Sequence, residues 1–250
     1  MFIDTHCHLL IEDYDDIDTV IKENRKAGIS KIIISGCSYD SIVESFEIAS
    51  RYDDVFLTIG FHPDQVDVVG DKELDFLRER LTQPKVVGIG EIGLDYHYGK
   101  ENREEQIVLF EKQLKIAEEF HLPVVIHSRD ATEDTICCLK KYKVHGIMHC
   151  FSGSVETARI YHSMGFYLGI GGVVTFKNSN LYKVVEAVGL DSIVLETDSP
   201  YLAPEPVRGT KNTSKNIPHI ASKIANILNV SVEEVSKRTL ENTSNVFDLI

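Results

Sequence analysis

A chain of 250 residues with 43% hydrophobic side chains has the size and core content of one α/β barrel, and a single domain over 1–250 is the expectation. Its 39 acidic residues against 26 basic ones, a formal charge of −13, exclude a sequence-independent clamp along many phosphates, although a nuclease whose positive charge comes from metal ions is still allowed. Five cysteines, with Cys137 and Cys138 adjacent, form no spaced disulfide framework, and no apolar run nears the roughly 18 residues of a membrane span, nor is there a leader-like N-terminus. Reduced thiols, a cytoplasmic location and no membrane partner are therefore expected.

In chain order, short apolar strands at 2–6, 31–35, 55–60, 86–89, 124–127, 146–149, 166–169 and 193–195 alternate with longer segments of helical period. Between the fourth and fifth strands, Ile107, Phe110, Leu114 and Ala117 recur at spacings of three and four, which makes 102–120 one helix with a buried face. Near the end, Ser231 followed by Glu234 is a capping box for a last helix carrying Val232, Val235 and Leu240. Only 199–216, rich in Pro, Gly, Asn and basic residues, resists a helix or strand assignment, and it reads as a functional loop over one rim. No internal repeat or linker divides the chain.

Five of the apolar runs end on metal-binding side chains: His6 and His8, Glu91, His127, His149 and Asp198. In an alternating strand–helix protein these ends share one rim, and only closure into a (β/α)8 barrel brings together ligands from the first, fourth, fifth, sixth and last strands; an open sheet gathers its ligands between two. Along a strand the side chains of His6 and His8 face one way and Cys7 the other, so Cys7, and by the same reasoning Cys150, belong to the wall. Six ligands exceed the needs of one cation, and two divalent ions sharing Glu91 as a bridge is the economical arrangement. The glycines flanking Glu91 are expected to leave space for metal or substrate. Glu196 lies two positions before Asp198, so one of the pair is expected on metal and the other behind it; Asp95 is expected to support rather than ligate. His97, His121, His145, His162 and His219 fall in loops or helices and are set aside. His62, in Gly60-Phe61-His62-Pro63, follows the third strand and is a substrate contact. Arg129 and Arg208, just past strand ends, are phosphate contacts, because a guanidinium matches phosphate oxygens in pairs; Phe151, Phe176 and Tyr201 are aromatic surfaces on which a base could stack.

Taken together, Phe2-Ile3-Asp4-Thr5-His6-Cys7-His8, Gly60-Phe61-His62-Pro63, Gly90-Glu91-Ile92-Gly93-Leu94-Asp95-Tyr96, Leu122-Pro123-Val124-Val125-Ile126-His127-Ser128-Arg129, His149-Cys150-Phe151-Ser152-Gly153 and Glu196-Thr197-Asp198-Ser199-Pro200-Tyr201-Leu202-Ala203-Pro204 give the chain a specific resemblance. It resembles the TatD-like metal-dependent deoxyribonucleases, a branch of the amidohydrolase superfamily of barrels, over nearly its whole length. The family's metal ligands fall on His6, His8, Glu91, His127, His149 and Asp198. Two features depart from the family pattern: Asn245 stands where relatives often carry an arginine, and Thr213-Ser214-Lys215 is inserted before Asn216.

The expected activity is hydrolysis of DNA phosphodiester bonds, exonucleolytic on single strands or ends, by a hydroxide held between two divalent cations, with Asp198 and Glu91 catalytic. Nitrogen-rich ligands favour zinc, manganese or cobalt, while the resemblance implies tolerance of magnesium or manganese. DNA is contacted locally and no obligatory protein partner is expected. The alternative is a dinuclear amidohydrolase acting on a small amide, ester or lactone, since the same Lewis-acid chemistry serves carbonyl centres. A metal-stabilised scaffold without turnover is disfavoured, because a structural site closes with four ligands.

Overall fold

A computed structural model describes residues 1–99 and 101–249. Strands and helices alternate from the N-terminus: β1 (Phe2–Cys7), α1 (Ile17–Lys26), β2 (Ile29–Gly36), α2 (Tyr39–Ser50), β3 (Val55–Ile59), α3 (Asp71–Arg80), β4 (Val86–Asp95), α4 (Arg103–Phe120) and β5 (Val124–Arg129). The second half continues with α5 (Thr132–Leu139), β6 (Gly146–Met148), α6 (Val155–Ser163), β7 (Phe166–Ile170), α7 (Leu181–Val188), β8 (Ile193–Leu195), α8 (Ile217–Leu228) and α9 (Val232–Val246). The strands pair in parallel in sequence order, β1 through β8, so the expected eight-stranded α/β barrel is the fold.

The barrel is nearly closed, and its seam is made by side chains as much as by backbone. β8 is only three residues long. The Asp4 carboxylate accepts from the Thr197 hydroxyl at 2.6 Å and from the Thr197 N–H at 3.0 Å, the Thr5 hydroxyl donates to the Leu195 carbonyl at 3.0 Å, and the Asp198 N–H donates to the His6 carbonyl at 3.1 Å. These bonds tie the end of β8 to the two histidines of β1.

Inside the barrel, Ile33, Phe56, Val87, Val125, Ile147 and Val194 from six strands form one apolar cluster, joined by Val246 at the end of α9 and Phe247 just after it. Because side chains alternate along a strand, the residue two positions beyond an inward apolar one is inward as well. Val125 is thus followed by His127, Ile147 by His149, and Ile33 and Phe56 by Ser35 and Thr58. An apolar floor with a polar layer at the carboxyl ends follows directly from the sequence parity. The other strand faces, including Ile32, Ile34, Val124 and Ile126, pack beneath the helices.

α4 buries the expected Phe110, Leu114 and Ala117, with Ile107 at the edge of the stripe. Two amides share that face. Gln113 brackets Phe61, accepting from its N–H at 2.8 Å and donating to its carbonyl at 2.9 Å; Gln106 does the same for Asp95, at 2.9 Å both ways. Ser231 caps α9 by accepting from the Glu234 N–H at 3.1 Å. The segment 199–216 is a loop apart from a short 3-10 turn at Ser214–Asn216, pinned by Asn212, whose amide donates to the carbonyls of Thr197 at 3.0 Å and Tyr201 at 2.8 Å. At the departure noted above, Asn245 donates to the Tyr167 hydroxyl at 3.3 Å.

Candidate metal centre

β1 points His6 and His8 to the same side, while the Cys7 thiol lies 3.6 Å from the Ile33 carbonyl on the other, as the alternation requires. β4 does not stop before Glu91: it runs ten residues to Asp95, past register shifts against β3 and β5. The flanking glycines serve the neighbouring strand and not a ligand. A Cβ on Gly90 would sit 2.6 Å from Val125 Cβ, and one on Gly93, at φ +148°, would sit 1.9 Å from the His127 carbonyl oxygen. Their absence lets β4 close on β5 and brings Glu91 against His127. His149 follows β6 directly. Asp198 lies beyond β8 with φ +54°, a left-handed conformation that Asp tolerates better than most residues.

All six residues converge around Glu91. His6 Nε2 lies 3.5 Å from Glu91 Oε2 and 3.6 Å from Asp198 Oδ1, and His8 Nε2 is 3.6 Å from both atoms. On the other side, Glu91 Oε1 is 2.7 Å from His127 Nδ1 and 2.9 Å from His149 Nε2, and these nitrogens are 3.4 Å apart. Glu91 therefore gives one oxygen to each of two donor clusters. Neither side chain on the β1 flank is at hydrogen-bonding length, yet buried His6 Nε2 has no hydrogen-bond partner among the described residues. Two ligands on one tetrahedral cation, with bonds of about 2.1 Å, stand about 3.4 Å apart. The spacing and the orphaned nitrogen fit a cation there, and the mixed imidazole–carboxylate donors suit a divalent metal.

The electrostatics of Glu91, Asp198 and His6 agree, whereas against burial the neighbouring carboxylates raise His8, His127 and His149, whose protons a cation would displace. Burial would push Glu91 up, but His149 and hydrogen bonds from His127 and His149 hold it well below the ordinary carboxylate range. Asp198 is likewise buried, and its pairing with His6 and His8 holds it far down. Burial, reinforced by His149, lowers His6 to about 4, leaving its ring neutral and able to ligate.

The rings are held from behind. His8 Nδ1 faces the Ser35 carbonyl at 3.3 Å, and His127 Nε2 bonds Asp95 Oδ2 at 3.0 Å. Asp95 thus supports His127. The proximity of His62, Asp95 and His127 as a further donor group reflects this bond at hydrogen-bonding length. Glu196, fully buried, accepts from the Cys150 N–H at 2.5 Å and lies 3.8 Å from His149 Nδ1, whereas Asp198 faces His6 and His8. His62 Nε2 is 3.8 Å from Glu91 Oε1, its ring edge-on to His127 at 4.5 Å. The amides of Gln113 and Gln106 that fix Phe61 and Asp95 were not foreseen; their seven-residue spacing on the stripe of Phe110 and Leu114 was the available signal.

Arg129 and Arg208 stay outside the donor clusters. Arg25, Arg51, Arg78, Arg103 and Arg238 are paired with carboxylates, but Arg129 lies over the Tyr98 ring at 5.6 Å and Arg208 over Phe176 at 4.0 Å, with no salt bridge among the described residues. Tyr201 is exposed and its ring lies 6.3 Å from that of His8; Phe151 is buried against Tyr161. Of the histidines set aside, His97 is at the rim, bonded to Asp130 at 3.1 Å. Each cysteine is free.

The family model for TatD related DNase matches residues 3–248. The chain belongs to this family. Among its relatives, this TatD-family protein is 40% identical over 253 residues to the uncharacterized metal-dependent hydrolase YabD of Bacillus subtilis (strain 168), covering 99% of both chains. It is 33% identical over 255 residues to the uncharacterized metal-dependent hydrolase YcfH of Escherichia coli (strain K12), covering 99% of this chain and 96% of the other. The crystal structure of YjjV, a TatD homologue from Escherichia coli K12, superposes with a TM-score of 0.92 at 29% identity, covering 98% of this chain and 97% of that one. The protein is a metal-dependent hydrolase of the TatD family. No helix among the described residues is long and apolar enough to cross a membrane.

Proposed function

We infer that this TatD-family hydrolase cleaves DNA phosphodiester bonds at a site for two divalent cations. The observation that carries the reading is the division of Glu91, whose Oε2 faces His6 and His8 while its Oε1 faces His127 and His149. His6, His8, Asp198 and Glu91 Oε2 would hold one cation, and His127, His149 and Glu91 Oε1 the other. Zinc, manganese, cobalt and magnesium are the metals this donor set and the family allow. Bound there, the cations would acidify a water and neutralise charge on the phosphate oxygens. Both His6 and His8 approach Asp198 through Oδ1, so Oδ2 of this ionised carboxylate is free of those contacts and can accept a proton from the attacking water. His62, beside Glu91 at the mouth, would hydrogen-bond a phosphate oxygen. Arg129 at the end of β5 and Arg208 in the 199–216 loop make no salt bridge among the described residues, as is true also of Arg80 and Arg159, and it is their placement past strand ends that supports phosphate over a neutral amide or ester.

The test is turnover by the metal-reconstituted protein on single-stranded and duplex DNA, RNA, and small esters, lactones and amides. DNA should be the preferred substrate, attacked from ends. Arg129→Ala should lower kcat/KM on DNA about tenfold or more, the loss of a charge-assisted bond of about 1.5–3 kcal/mol, with metal content unchanged. Faster turnover of a small ester or amide, with indifference to Arg129→Ala, would replace this reading by the amidohydrolase one.

A further inference from the structure

Above Ile59 the third and fourth strands part. Their ladder ends where Ile59 pairs with Ile89, yet each chain stays bonded to its other neighbour. The N–H groups of Gly60 and His62 donate to the carbonyls of Gly36 and Cys37 at 2.9 Å, and the Tyr96 N–H donates to the Arg129 carbonyl at 2.9 Å. In a parallel ladder the N–H and C=O of one residue point to the same neighbour, and the next residue points to the other. Phe61 and Asp95 therefore turn their backbone groups into the gap between β3 and β4, where the ladder no longer supplies partners. Gln113 and Gln106 of α4 fill it. Both are buried, two helical turns apart on one face, and each amide takes both groups of one residue: Gln113 those of Phe61 at 2.8 and 2.9 Å, Gln106 those of Asp95 at 2.9 Å each. An amide carries a donor and an acceptor side by side, so each glutamine stands in for a missing rung of the sheet.

The two residues so held carry chemistry. Asp95 Oδ2 bonds His127 Nε2 at 3.0 Å, and His62, next to Phe61, places Nε2 3.8 Å from Glu91 Oε1. We propose that Gln106 and Gln113 are positioning residues of this hydrolase: Gln106 sets Asp95 and through it the cation ligand His127, and Gln113 sets His62. One helix face thereby fixes the spacing between a metal ligand's support and a substrate contact borne on strands that are no longer joined. The role of Gln106 needs only the metal centre. That of Gln113 rests on the phosphodiesterase reading above, in which His62 meets a phosphate oxygen, and deepens it.

The experiment titrates manganese into Gln106→Met and Gln113→Met, nearly isosteric changes that keep the packing and remove both bonds, and follows DNA turnover at saturating manganese. Leu114→Ala, on the same buried stripe, controls for lost stability alone: it should lower the melting temperature and leave both readouts unchanged. Gln106→Met should weaken manganese binding at the His127–His149 cluster about tenfold, as expected when the support behind a ligand is loosened. Combined with Asp95→Asn it should be no weaker than Asp95→Asn alone, because a residue acting through another adds nothing once that other is gone. Gln113→Met should leave manganese affinity unchanged, raise the KM for single-stranded DNA about tenfold with kcat retained, and add nothing to His62→Ala. Unchanged manganese affinity in Gln106→Met, an unchanged KM in Gln113→Met where His62→Ala raises it, losses that multiply in either double variant, or the same losses in Leu114→Ala would overturn the proposal. A wild type that leaves DNA uncut, or a His62→Ala variant that cuts it equally well, removes the phosphodiesterase role of His62 and with it that of Gln113; the manganese titration then decides Gln106 by itself.

Discussion

His127 shows how one residue is set by its surroundings. Its Nδ1 faces Glu91 at 2.7 Å, and its Nε2 is held by Asp95 at 3.0 Å, which fixes both ring orientation and the nitrogen left for a metal. Asp95→Asn should weaken cation affinity of the His127–His149 cluster by about 10–100-fold, read by metal titration, because a neutral amide no longer supports the ring as a carboxylate does. An unchanged affinity would mean that Asp95 is only a loop residue. The same environment predicts a pH dependence. Burial alone would lower His127, but Asp95 and Glu91 favour its protonated form and raise it from 6.5 to about 9. Below that value a cation must displace a proton, and because His149 in the same cluster is raised as well, affinity should rise at least about tenfold per pH unit up to about pH 9, with at least one proton released per ion. Titrations from about pH 6.5 upward showing flat affinity and no proton release would contradict this.

At the scale of elements, β4 controls the site. The parity of β1, β5 and β6 made His6, His8, His127 and His149 legible, since each stands two positions after another inward residue or directly at a strand end. The end of β4 was passed over although Ile92 and Leu94 alternate with Glu91, Gly93 and Asp95, because two glycines interrupt the apolar run and its register shifts depend on β5, a partner that local sequence does not reveal. For the same reason the glycines beside Glu91 read as room for a ligand when they are room for Val125 and the His127 carbonyl. Gln106 and Gln113 were hidden differently: a buried amide on a helix looks like solvated surface until its backbone partners at Asp95 and Phe61 are known. Gly93→Ala combines a contact of 1.9 Å to backbone with φ +148°, and should cost about 3 kcal/mol or more in denaturant unfolding. A shift of less than about 1 kcal/mol would show that β4 and β5 can part at little cost, and that the site does not depend on their spacing.

At the scale of the molecule, an acidic chain of formal charge −13 builds a site for metal cations by concentrating their ligands on one rim of a barrel. Closure is what makes this work, because donors from β1 and from the end of β8 meet only where Asp4 and Thr197 seal the seam. Alternation of strands and helices announced the barrel; the seam did not announce itself, since β8 is too short for a full ladder and side chains from distant sequence replace it. Glu91 is the residue through which the whole arrangement stands or falls, since both donor clusters use it. The direct measurement is the number of divalent ions retained per chain after mild dialysis, by elemental analysis, in the wild-type protein and in Glu91→Ala. The account predicts about two ions in the wild type and fewer than one in the variant, as both clusters lose an oxygen together. One ion or none in the wild type, or two retained without Glu91, would contradict it.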